Sequence, residues 1–255
     1  VPALAGAGLF AAPVSSPQNE DPVRAKISVA GYWDNSQLTD PVAKLKKTGR
    51  RSFGLAYEPN HGYLTSLLRT LKVPTSSQCL VFSKTSLQAP FTSPRTPRAI
   101  YFNDDVYVGW AQEAGSIDIE STDARFGTIF YSLSQDQGTP SIERRDVCFN
   151  CHLGRRISGA PGPFVRSVYT NSVGEQVGKD LNFVSGHFSP LSTRWAGWYV
   201  TGTSEGDVHL GNTFEEDRMH LGKTDGTNIV RLDKFFTTSK YLTPGSDIVA
   251  LMVLE

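Results

Sequence analysis

Two cysteines and a histidine stand close enough together to act as one chemical unit: Cys148–Phe149–Asn150–Cys151–His152. On the first turn of a helix, thiols three positions apart fall on one side of the backbone. There each can add to one vinyl group of a single porphyrin, and the imidazole that follows faces the iron as its proximal ligand. The unit is therefore expected to attach one haem c covalently, through thioethers at Cys148 and Cys151 with His152 on the metal. The residues just before it, Ile142 to Asp146, read as a capped or turn-like approach to that helix. Other uses of the spacing fit less well. A structural zinc site needs four ligands, usually from two such knuckles. The chain has one C-x-x-C, and its third cysteine, Cys79, cannot supply the missing pair. A redox dithiol sits at the end of a βαβ strand and has no need of the histidine. A disulfide across two intervening residues would be small and strained. Cys79, in SSQCLVF, reads as a buried strand residue, with no basic side chain or second thiol beside it to make it reactive.

An electron-transfer haem takes a second axial ligand. Apart from His152, the candidates are His61, His187, His209, His220, Met219 and Met252. His61, in the turn PNHGY, reads as a surface residue, and Met252 as part of the apolar face of a last helix. Met219 lies at a distance beyond the motif that small cytochromes c use, but in the charged setting EEDRMHLGK rather than a proline-rich loop. His187 and His209 flank RWAGWYVTG, whose Trp195, Trp198 and Tyr199 could wall a porphyrin. Imidazole's standing as a metal ligand favours His187 first and His209 second. Each also reads as an ordinary structural histidine.

The elements that must position these groups are mixed. DPVAKLKK reads as a helix capped by Asp40 with Pro41 in its first turn. Leu64, Leu67, Leu68 and Leu71 share one face of a helix over about 62–71, which Val73–Pro74 ends. Asp247 caps a helix over IVALMVLE, which is expected to run on beyond Glu255. Between them lie short β segments: Cys79–Ser83, Arg98–Phe102, Val106–Trp110, Thr128–Leu133 and Trp198–Thr201. Asn103–Asp104–Asp105 is the expected hairpin turn. The stretches 134–147 and 171–195 read as irregular. The fold class expected is α+β: an irregular, turn-rich mixed fold with short β-strands and a few helices around a covalently bound c-type haem. Residues 40–255 form a single haem-binding domain. Residues 1–39 form an N-terminal extension, where VPALAGAGLFAAP gives way to SSPQNEDP; it reads either as a signal-peptide remnant or as a packing tail.

Bulk composition narrows the partners. The 255 residues carry 25 basic and 25 acidic side chains, so a neutral surface gives no general attraction to nucleic acid or an anionic membrane. No apolar run approaches the roughly 20 residues needed to cross a bilayer. With 23 Gly and 15 Pro, the chain is turn-rich rather than a coiled coil or a membrane bundle.

The phrases SSQCLVFSKTSLQ, SPRTPRAIYFNDDVYVGW, RRDVCFNCH, APGPFVRSV and RWAGWYVTG resemble a large family of exported bacterial proteins with one cytochrome c motif each. The resemblance runs from about Asp40 to Glu255. It implies a periplasmic or extracellular protein whose haem is held by Cys148, Cys151 and His152. It also implies histidine at the positions of His187 and His209, and a continuation past Glu255 with a histidine-bearing helix, a further source of the sixth ligand. Three functions follow in order of preference. The first is an electron carrier working with redox partner proteins, alone or in a larger assembly or filament. The second is a haem enzyme of peroxidase type, or a gas sensor, with an open sixth position. There Arg155, Arg156 or Arg166 would stabilise bound peroxide, although such arginines more often pair with haem propionates. The third is a haem-bearing structural subunit of a larger complex.

Overall fold

A computed structural model describes residues 31–153, 161–178, 182–215 and 226–255 of the chain. Two short helices come first, α1 (Pro41–Lys47) and α2 (Leu64–Thr70), followed by the strands β1 (Cys79–Val81), β2 (Arg98–Phe102), β3 (Val106–Trp110), β4 (Ser116–Asp123), β5 (Gly127–Ser134) and β6 (Ile142–Arg144). The one-turn helix α3 (Phe149–His152) precedes β7 (Val165–Val168), β8 (Asn182–Ser185), β9 (Trp198–Tyr199) and α4 (Ile248–Leu254). Seven strands form one antiparallel sheet in the order β6-β5-β4-β3-β2-β1-β9, and β7 pairs with β8 alone.

This architecture corrects the α+β expectation. Among the described residues the chain is β-rich, and one large antiparallel sheet organises it, with four short α-helices as accessories. The difference lies mainly in β4, eight residues long and unexpected, which pairs along its whole length with β5, where the expected Thr128–Leu133 strand extends to eight residues. Ser116–Asp123 (SIDIESTD) is too polar to stand out by composition. Its isoleucines nevertheless alternate with polar groups at the strand period of two, and burial alternates with them. The supposedly irregular stretch 134–147 contains β6, and 171–195 contains β8. Elsewhere the local signals hold: β2 and β3 occupy the expected residues, and Asn103 Oδ1 accepts from the backbone N–H of Asp105 and Val106 to shape the turn between them.

One face of the sheet carries Leu80, Tyr101, Val108, Ile119 and Tyr131, packed in the main core with α1 and α2. The other face carries Cys79, Val81 and Trp198, packed with Val165 of β7 and Leu251 of α4. Tyr32 and Leu38, from the described part of the 1–39 segment, are buried in the main core, and the Tyr32 hydroxyl donates to the Thr128 carbonyl (2.9 Å). Among the described residues no helix is long and apolar enough to cross a membrane.

Asp40 ties α1 to the sheet. Its Oδ1 accepts from the backbone N–H of Val42 (3.0 Å) and Ala43 (3.1 Å), and its Oδ2 accepts from the Tyr131 hydroxyl (2.8 Å). Asp40→Ala removes a helix cap, worth about 1 kcal/mol, and strands a buried phenol, costing roughly 1–3 kcal/mol more. Urea unfolding is expected to register both losses. Tyr131→Phe made on top of Asp40→Ala should recover part of the second, because the two changes share one hydrogen bond.

Candidate functional site

The strands β1 to β6 cross the sheet in sequence, so the chain leaves β6 at one edge and must return over a face to reach β9 at the other. The Cys148–His152 unit lies at the start of that return. Phe149, the first residue between the cysteines, is buried and fixes the unit in place. Its ring makes edge contacts with Phe130 (5.3 Å), Trp33 (5.7 Å) and Tyr32 (5.9 Å). Cys148 is half-buried and Cys151 exposed. Both sulfur-bearing residues and His152 line one cavity of about 320 Å³, walled by Val81, Ile100, Phe130, Phe164 and Trp198.

The imidazole of His152 is held on two sides and at one nitrogen. Phe130 and Phe164 flank it, with ring centroids at 5.0 and 4.7 Å. Nδ1 lies 3.0 Å from the Gly162 carbonyl oxygen. A carbonyl only accepts, so Nδ1 is the donor in this contact, and in the neutral imidazole Nε2 would keep its lone pair for a metal. Glu120 Oε1 stands 3.7 Å from the same nitrogen, too far for a hydrogen bond but close enough to act through charge.

Glu120 belongs to a polar row on the sheet face under the cavity. Its Oε2 is shut off from solvent and has no hydrogen-bond partner. Burial raises its pKa above the usual carboxyl value; His152 and Arg98 partly offset this, and Asp118 adds to it. Arg98 donates from Nε to Gln88 Oε1 (2.8 Å) and from Nη2 to Asp118 Oδ2 (3.3 Å). It reaches Asp118 by crossing β3 at Gly109, where any Cβ would overlap the guanidinium.

The Cys148 thiol is pushed up to about 12, by burial first and then by Asp118 and Glu120. Reactive dithiols and thiolate ligands need the opposite shift, so this setting weighs against disulfide exchange. Among the described residues no cluster of three or more His, Cys, Asp or Glu side chains is arranged to hold a bare metal ion. The donor set does fit a porphyrin. Two thiols and an imidazole line one cavity with aromatic and aliphatic groups and a charged row on the sheet face, and the volume lies in the range of small-molecule sites.

No family model, no curated protein and no solved structure matches the chain. The site must therefore be read from its own groups.

The remaining expected site residues fall in two places. Trp198 lines the cavity, and its Nε1 donates to the Arg166 carbonyl (2.7 Å). Trp195 does not line it. It is fully buried with its Nε1 unpartnered, and its ring lies against His209 at 5.3 Å. His209 is buried there, and its Nδ1 accepts from the Gly211 N–H (3.1 Å). His187 is exposed, with Nε2 at 3.0 Å from the Met252 carbonyl. Neither His187 nor His209 is among the residues lining the cavity. Met219, His220, Arg155 and Arg156 lie outside the described residues. Sequence reasoning passed over Arg98, Asp118, Glu120 and Gly162. The one available signal was the pair of acids two apart in SIDIESTD, which a strand places on the same face.

Burial lowers the His209 pKa from 6.5 to about 4. Between those values the unfolded chain binds more protons than the folded one, so stability falls as pH drops through that window and is fully present above it. The loss is on the order of 3 kcal/mol. Unfolding measured at pH 7 and pH 4.5 is expected to show it, and His209→Asn to reduce the difference. An unchanged difference in the variant would mean that His209 is not held neutral.

Proposed function

We propose that this protein is a c-type cytochrome that carries one covalently attached haem and passes single electrons to redox partner proteins in the periplasm or outside the cell. The observation that carries this reading is that Cys148, Cys151 and His152 line one cavity while the Gly162 carbonyl fixes the imidazole with Nε2 free. A bound haem supplies an iron that exchanges one electron, at a potential set by its ligands and surroundings. Cys148 and Cys151 would each add S–H across a vinyl double bond, forming a thioether with no leaving group. His152 would ligate the iron, and Phe130 and Phe164 would keep its ring from turning. Ile100, Phe164 and Trp198 would exclude water from the porphyrin. Exposed Cys151 marks the edge where a partner could approach. Export is supported by the family resemblance and by the advantage of covalent attachment where lost cofactor cannot be replaced.

One observation favours a second reading, a haem enzyme or gas sensor with an open sixth position. Among the described residues lining the cavity, His152 is the only one with an imidazole or thioether.

Absorption spectra of the purified protein, reduced with and without carbon monoxide, separate the two. An electron carrier gives low-spin bands indifferent to the gas; rapid binding to a high-spin iron would move the assignment to the open site. His187→Ala and His209→Ala, made separately, are expected to leave the spin state unchanged, because neither side chain lines the cavity. Loss of the low-spin bands in either variant would identify that residue as the distal ligand.

A further inference from the structure

We infer that Arg98 is the seat for a carboxylate at the porphyrin's rim, an assignment that rests on the haem reading above. The cavity wall contains two guanidiniums, Arg98 and Arg166. Arg166 is engaged through Nε by Asn182 Oδ1 (3.0 Å) and makes further interactions. Arg98 is different. Gln88 takes its Nε and Asp118 its Nη2, and among the described residues no hydrogen bond or ion pair engages Nη1. Its side chain is only 16% exposed, so the long aliphatic stem and two fixed contacts hold the head group in one place. A guanidinium has five donors in a rigid fork and can serve two carboxylates by different edges. Asp118 occupies one edge, and the other remains for a ligand.

Gly109 indicates that this placement is built in. The guanidinium crosses β3 where the strand has no side chain, and an alanine there would overlap its far end rather than any backbone. Among the described residues of the wall, the two arginines, Arg98 and Arg166, are matched in number by the two acids, Asp118 and Glu120. Arg98 is therefore singled out by its uncommitted donor and not by an excess of positive charge. The chemical class it selects is a carboxylate carried on a flat apolar body, which describes the propionate edge of haem.

Gly109→Ala and Arg98→Gln, each matured with haem beside the parent, test the assignment. Haem is expected to stay attached in all three, since thioethers hold it. The propionate bending band in the resonance Raman spectrum should shift in both variants. The midpoint potential should fall in Arg98→Gln, because a cation near the iron favours the reduced form, and Arg98→Lys should return it toward the parent value. Attached haem with an unshifted band and potential in Arg98→Gln overturns the assignment. Should that variant fail to fold, Gly109→Ala decides alone, because its methyl displaces only the end of a flexible side chain; an unshifted band there also overturns it. A parent protein that acquires no haem removes the cofactor reading itself, and this inference with it.

Discussion

A meander of six strands ends at one edge of its sheet, and the chain can add β9 beside β1 only by crossing back over a face. That crossing is the constraint on which the rest depends. It begins with Asp146–His152, continues through the β7–β8 hairpin, and ends at Trp198. The opposite face is closed by α1 and α2 in a well-filled core. The crossing segment leaves a gap between itself and the sheet, and the two cysteines, His152 and Trp198 all border it.

The two faces of the sheet differ in chemistry because they do different work. Val108 and Ile119 pack in the helix-covered core, and Tyr131 beside them adds its hydrogen bond to Asp40. Their neighbours Arg98, Asp118 and Glu120 put charge under the cavity, where full burial without partners would be prohibitive. Arg98 and Asp118 answer each other, and Glu120 is left with an oxygen that nothing satisfies. A stability-driven sequence would place apolar residues there, since a buried ion pair rarely outperforms good packing. Charged groups retained beside the motif therefore favour a bound polar or ionic ligand over a purely structural use of this face.

Much of the site was legible because it is local. Five consecutive residues would carry the proposed attachment chemistry, and their spacing does not depend on the rest of the chain. Asp40 and Asp247 likewise announced their helices through cap chemistry that acts within three residues. What was hidden is non-local or weakly patterned. SIDIESTD alternates correctly, but its polar half masks a strand that only pairing with β5 makes obvious. Gly162 meets His152 only after the chain turns back, and Gly109 gains its role from an arginine on a neighbouring strand. Trp195 and Trp198 are three residues apart and look equivalent in RWAGWYVTG. The left-handed backbone at Trp195 (φ 66°) and the turn at Gly197 (φ 83°) accompany their separation: Trp198 at the cavity, Trp195 against His209.

The mass of the denatured, intact chain after expression with haem-maturation machinery bears most directly on the account. The expected result is a single species heavier than the polypeptide by one haem, with neither Cys148 nor Cys151 open to alkylation, and loss of that added mass when both are changed to alanine. A chain at its bare polypeptide mass, with both thiols free to react, would contradict it.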